Sequence, residues 1–184
     1  MLIGLAGFAG SGKDTVGKIL VDHYNFKRVA FADKVKELAL KLDPFVHLPM
    51  TFSNERLSSL VERAGWDETK REPEVRELLQ RIGAGVRDVL GEDTWIDAAL
   101  WDYNRYGVDT VITDVRYPNE LDVIRENGGV VWWIERPGVG PVNDHESENS
   151  VSGASADLTL FNWGSRSYLC KTAKEAMKQT IKAT

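Results

Sequence analysis

Lys13 and Asp114 are the residues on which phosphoryl chemistry is most readily built in this chain. Lys13 stands in GFAGSGKDT, residues 7 to 15, where Gly7, four free positions, Gly12 and Lys13 keep the spacing of a phosphate-binding loop. Glycines let the backbone turn tightly with its N–H groups aimed inward, and the helix that follows offers unpaired donors. The lysine brings a cation to the β- and γ-phosphates of a nucleotide. Asp14 occupies the position that normally holds Ser or Thr, and the hydroxyl of Thr15 comes one residue later. Two readings stay open: Thr15 touches phosphate or magnesium, or Asp14 holds a metal-bound water. Asp114 closes the apolar run in VITDVRYPNE, where a phosphate-loop enzyme keeps the carboxylate that orients magnesium through water. Capping of a strand-to-helix turn is its other reading.

A phosphorylated acceptor needs cations of its own. Arg116, two residues past Asp114, can bind phosphate with its planar fork or pair with a carboxylate such as Glu120. Lys36 lies in FADKVKE, and Arg87 lies in IGAGVRD, where Gly83 and Gly85 would let a ligand approach a helix. Each is otherwise a solvated charge on a helix face. Arg136 opens a Gly-, Pro- and Ser-rich segment, from which it can swing over the transferring group and neutralise its oxygens. Asp33 can accept a proton or a substrate hydrogen bond, or serve as a helix N-cap. Trp95 is a candidate for stacking on a base, against core packing as the alternative. His145, Glu146 and Glu148 crowd three ligands into four loop residues without a nearby cysteine or second histidine, so a metal site there is rejected.

The elements that must position these groups follow from apolar runs. Residues 2 to 6, RVAFA at 28 to 32, DTVITD at 109 to 114, VVWWIE at 130 to 135 and DLTLF at 157 to 161 read as buried strands. Helical stretches separate them, which predicts an α/β fold: a three-layer arrangement of five parallel strands with helices on both faces. Ligands in such sheets bind beyond the carboxyl ends of the strands. Residues 33 to 108 read as a helical region able to cover a substrate, with Pro73 suited to a first turn and Gly91 to a helix end. The stretch 52 to 72 is less periodic and reads as a helix or loop. Residues 136 to 155 have the composition of a lid.

With 184 residues and 42% hydrophobic content, the chain has material for one core and is read as one domain, 1 to 184. Its net charge of −5 argues against stable nucleic-acid binding. The lone Cys170 cannot form an internal disulfide, which fits a reducing, cytoplasmic setting. Neither a signal peptide nor a membrane-spanning stretch is read from the pattern.

Taken together, SGKDT (11 to 15), FADKVKE (31 to 37), LLQRIGAGVRDVLGEDTW (78 to 95), TDVRYPNE (113 to 120), HESE (145 to 148) and ADLTLFNWGS (156 to 165) resemble the phage deoxynucleoside monophosphate kinases. In that family Asp-Thr follows the lysine, so Asp14 departs from the general loop and not from the family. The resemblance implies transfer of the γ-phosphoryl group of ATP to a deoxynucleoside 5′-monophosphate, with magnesium bridging the donor phosphates. It implies that Gly10, Ser11, Gly12, Lys13, Asp14 and Thr15 hold ATP and that Asp114 orients the metal. Asn162, Gly164 and Ser165 would border the adenine, and Lys36, Arg87 and Arg116 would receive the acceptor phosphate. His145 joins the substrate side on its motif alone. A kinase of another small phosphorylated acceptor, of the phosphomevalonate or dephospho-coenzyme A type, is the alternative. A nucleotide-driven switch is disfavoured by the lack of an NKxD motif. Base preference is not legible, and neither is the choice between monomer and homodimer.

Overall fold

The computed structural model describes residues 1–48, 52–141 and 151–183. The chain divides into two compact units, Met1–Phe31 with Ala99–Thr184, and Ala32–Ala98.

The first unit is built on β1 (Leu2–Ala6), a strand whose five residues are all buried, as expected for a run covered on both faces. Its neighbours are β5 (Thr110–Val115) and β6 (Val130–Glu135), with β2 (Lys27–Val29) and β7 (Leu158–Phe161) at the edges. The order is β2-β5-β1-β6-β7 and every pairing is parallel, the five-stranded sheet expected from the sequence. Helix α1 (Lys13–Tyr24) and the C-terminal helix α7 (Arg166–Ala183) share one face. There Ile3 and Leu5 pack with Val16, Ile19 and Leu20 of α1 and with Leu169, Ala173 and Met177 of α7. Each of the larger aliphatic side chains here, taken fully out of water, contributes about 1.5–3 kcal/mol. Helix α6 (Pro118–Glu126) lies on the other face: a Cβ on Gly4 would come within 2.6 Å of Ile124, so strand and helix touch closely there.

Two details of the strands differ from the sequence reading. Residues 28 to 32 are not one strand, because helix α2 (Phe31–Leu42) begins directly after β2. A short apolar run such as VAFA satisfies either structure, and the pattern alone cannot arbitrate. Strand β5 runs on to Val115, and its register against β1 slips from Gly4↔Ile112 to Ala6↔Val115. One extra residue therefore sits on β5 beside Asp114, a bulge that bends the strand end and re-aims its side chains.

The second unit carries the rest of α2, a hairpin of β3 (Phe45–Leu48) and β4 (Ser53–Arg56), α3 (Leu57–Thr69), α4 (Pro73–Leu90) and the start of α5 (Thr94–Tyr106). The hairpin adds two short strands to the region read as helical over 33 to 108, and β4 falls where 52 to 72 read as a helix or loop. Its core is Ala39, Val46, Leu57, Leu60 and Val75, flanked by Leu78, Leu79 and Ile82 of α4. Helix α4 begins on Pro73 and is closed by Gly91, the two boundaries expected from residue type. Within 52 to 72 a helix forms, broken at Gly65 (φ 75, ψ 163). Of residues 136 to 155, read as a lid, 142–150 lie outside the described residues. The return segment ends in a 3-10 turn at Gly153–Ser155.

Candidate active site

The phosphate loop leaves β1 at the carboxyl edge of the sheet and ends where α1 begins at Lys13. Gly7, Gly10 and Gly12 all take positive φ (139, 79 and 112), conformations that only glycine enters without strain. Gly12 is the N-cap of α1 and has no side chain with which to cap it, and the N-terminal turn of a helix favours an anion. Lys13 Nζ donates to the carbonyls of Gly7 (2.6 Å) and Phe8 (2.9 Å), which folds the ammonium over the loop. Ser11 Oγ is buried, with no hydrogen-bond partner among the described residues. An orphaned hydroxyl among inward-turned amides suits an anion with oxygens to receive it.

Two side chains from the neighbouring strand ends grip the outside of the loop. Asn162 follows β7 and is 6% exposed; its Nδ2 donates to the Ser11 carbonyl (2.7 Å) and its Oδ1 accepts from Gly164 N (3.1 Å). A Cβ on Gly12 would lie 2.7 Å from that Nδ2, so loop and amide are packed without slack. Arg136 follows β6, and its guanidinium donates to the Gly10 carbonyl (3.0 Å). The N–H opposite the Gly10 carbonyl, that of Ser11, donates to the Phe8 carbonyl (3.1 Å) and closes a turn within the loop; holding the Ser11 carbonyl outward turns the Gly12 N–H to the inner side, since each peptide unit is planar. Asn162 therefore has a bracing position, and Ser165 Oγ accepts from Tyr168 N at the start of α7.

Asp114 stands at the bulged end of β5, and its Oδ1 accepts the N–H of Phe31 (2.9 Å). The end of β5 adjoins the first turns of α1: a Cβ on Gly17 would meet the Thr113 methyl at 2.6 Å. Thr15 is partly buried there, and Asp14 is exposed in the first turn. Magnesium takes oxygen ligands, keeps several waters and needs only one or two protein groups beside substrate phosphates. One strand-end carboxylate with a hydroxyl and a further carboxylate in the adjoining helix turn has that chemistry.

Next to Lys13 a hollow is lined by Phe8, Arg116, Trp133 and Val151. Phe8 meets Trp133 edge to face (5.3 Å, 85°), and the Trp133 indole N–H donates to Glu135 (2.6 Å). Arg116 is exposed, and its backbone N–H and that of Tyr117 donate to Glu120 Oε2 (2.6 and 3.0 Å). Glu120 is 4% exposed and caps the start of α6, which pins the rim carrying Arg116. Neither Phe8 nor Trp133 stood out by residue type. Glu120 was read from the sequence as a carboxylate for Arg116; the signal for its capping position is that Pro118 and Glu120 open α6 in the usual N1 and N3 positions.

Asp33, Lys36, Arg87 and Trp95 belong to the second unit. Asp33 and Lys36 pair across one helical turn (2.8 Å), with Asp33 inside the first turn of α2 and not at its N-cap. Arg87 is partly buried in the last turn of α4. Trp95 is buried and its indole N–H donates to the Gly83 carbonyl (3.0 Å), an arrangement of core packing. His145 lies outside the described residues. Among the described residues no cluster of three or more His, Cys, Asp or Glu is placed to hold a metal, and no helix is long and apolar enough to cross a membrane.

The sequence pattern of the deoxynucleotide monophosphate kinase family matches residues 50–172. A protein of Acanthamoeba polyphaga mimivirus named for the same enzyme is 31% identical over 185 residues, covering 88% of each chain. Among solved structures, shikimate kinase from Aquifex aeolicus superimposes with a TM-score of 0.50 over 98% of each chain, at 14% identity. That likeness shows the fold alone.

Proposed function

The chain belongs to the deoxynucleotide monophosphate kinase family, and on that premise we propose which of its residues move the γ-phosphoryl group of ATP to a deoxynucleoside 5′-monophosphate. The donor triphosphate lies in the loop from Gly10 to Thr15, against the peptide N–H groups, the Ser11 hydroxyl and the Lys13 ammonium. An oxygen of the acceptor phosphate attacks the γ-phosphorus, the bond to the β,γ-bridging oxygen breaks, and ADP departs. Little covalent help is needed, so positioning and charge neutralisation carry most of the rate. Lys13 and Arg116 flank one hollow and share the neutralisation, and Arg136, now on the Gly10 carbonyl, is the third cation within reach of the loop. Lys36 and Arg87 receive the acceptor phosphate, with Asp33 orienting Lys36 through their ion pair. Asp114, Thr15 and Asp14 are the groups suited to magnesium, which supplies charge on the donor phosphates when bound.

The observation that carries this reading is the Lys13 ammonium folded over a glycine loop at the mouth of α1. The test is ADP formation from magnesium and ATP with each deoxynucleoside monophosphate in turn, in wild type and in Lys13→Ala. We expect turnover only with an acceptor, and a fall of about a hundredfold or more in the variant, the usual cost of losing a donor to developing phosphate charge. Equal ADP formation without any acceptor, or an unimpaired Lys13→Ala, overturns it.

A further inference from the structure

The carbonyl of Phe8 has two tasks in the phosphate loop. It accepts the Lys13 ammonium (2.9 Å) and the Ser11 N–H (3.1 Å), so the peptide after Phe8 sets both where the lysine rests and how the loop turns. The Phe8 ring anchors that peptide by meeting the Trp133 indole edge to face. Phe8 is partly buried, whereas Trp133 is 4% exposed. Trp132 and Ile134 face the core beneath α1 and α7, so alternation along β6 turns Trp133 and Glu135 to the other side of the sheet. There the indole is fixed twice more. Its N–H donates to Glu135 (2.6 Å), and Gly153 lies against its pyrrole ring: a Cβ on Gly153 would come within 3.1 Å of Cδ1, 3.3 Å of Nε1 and 3.4 Å of Cγ. Gly153 does not take a positive φ, so close approach to the indole is what calls for glycine at this position. The segment that carries Gly153 is itself fastened. Arg125 donates to the Ser155 carbonyl (2.6 Å) and pairs with Asp157 (3.0 Å), whose other oxygen accepts Val131 N (2.7 Å).

We propose that Trp133 is a positioning residue for Lys13, acting through Phe8. The indole holds the Phe8 ring, the Phe8 carbonyl holds the ammonium at the mouth of the loop, and the lysine meets the donor phosphates from a preset place. Phosphoryl transfer depends on such placement, because a charge moved by about 1 Å loses rate even though the charge is still present. An aromatic pair is worth a factor of about two to ten beyond its contact area, which sets the scale of the effect. The inference rests on the donor site proposed above and goes beyond it in giving the Phe8–Trp133 pair a part in the reaction.

The test is kcat/KM for ATP in Phe8→Leu, Trp133→Leu and Trp133→Phe, each made with Lys13 present and in Lys13→Ala, with the acceptor KM and Tm measured alongside. With Lys13 present, Phe8→Leu and Trp133→Leu should each lower kcat/KM for ATP by about three- to tenfold. The two together should cost no more than the worse single, because both cut one contact. Trp133→Phe keeps a ring for Phe8 and should recover most of the loss, while the acceptor KM holds. In Lys13→Ala the same substitutions should change the residual rate by less than about twofold, since the residue through which they act is gone. Equal losses with and without Lys13 would mean that Trp133 only packs the core, and would overturn the proposal. So would wild-type kcat/KM in Phe8→Leu. Should Trp133→Leu fail to fold, Phe8→Leu, on the partly buried ring, carries the same comparison. An unimpaired Lys13→Ala would instead count against the phosphate loop as the donor site, a different failure.

Discussion

Asn162→Ala removes one amide that serves two backbone groups. Gly164 is exposed, so its N–H finds water when Oδ1 is lost. The Ser11 residue is only 1% exposed, so its carbonyl loses a 2.7 Å bond with nothing to replace it. An unsatisfied buried acceptor costs about 1–3 kcal/mol, so the variant should lose about 2 kcal/mol of stability. For a chain of this size that corresponds to a fall of about 4–8 °C in Tm. The loop also loses one of its two outer grips, so the KM for ATP should rise while the acceptor KM holds. Asn162→Asp separates bracing from packing. It keeps the acceptor for Gly164 N but sets a carboxylate oxygen against the Ser11 carbonyl, so it should be worse than the alanine variant at neutral pH. Its deficit should shrink as pH falls and the protonated carboxyl donates to that carbonyl. Thermal melts across pH, paired with initial rates at varied ATP, read both effects. Should Asn162→Asp match wild type in Tm and in KM for ATP, the brace is not what orients the loop.

Glu120→Ala leaves the N–H groups of Arg116 and Tyr117 without their carboxylate, and urea unfolding should show a loss of about 2 kcal/mol with unchanged m. Glu120→Gln, which keeps an acceptor, should recover part of it; a change below about 0.5 kcal/mol in the alanine variant would remove Glu120 from the support of the rim. Asp43 holds a left-handed conformation (φ 43) and accepts Ser58 N at the start of α3. The Ser58 backbone N–H keeps its carboxyl below the ordinary aspartate range, against a smaller opposing effect of burial, with the Ser58 hydroxyl and Arg56 adding to the lowering. A depressed value means stability that is present above the unfolded value and lost as pH falls through the folded one. Asp43→Asn should therefore melt below wild type at neutral pH, with the gap closing below about pH 4. A gap that is constant with pH would refute it.

The elements that were legible share one property: their cause is local. A continuous apolar run such as LIGLA requires burial on both faces, and the spacing from Gly7 to Lys13 requires a particular turn before a helix, whatever the rest of the chain does. Pro73 and Gly91 bound α4 for equally local reasons of φ and missing N–H. The hairpin β3–β4 escaped because its strands have four residues each and only Val46 is fully buried, too little periodicity to register. The start of α2 escaped because VAFA satisfies strand and helix alike.

Residue order therefore determined that this chain has a parallel sheet, a phosphate loop at the end of its first strand and a carboxylate at the end of β5. Tertiary structure alone decided how those groups are aimed. The bulge that sets Asp114 arises from register against β1, and the grip of Asn162 on Ser11 spans 151 residues of sequence. Such contacts leave no periodic trace, because each depends on where the sheet delivers two distant strand ends and not on the residues beside them.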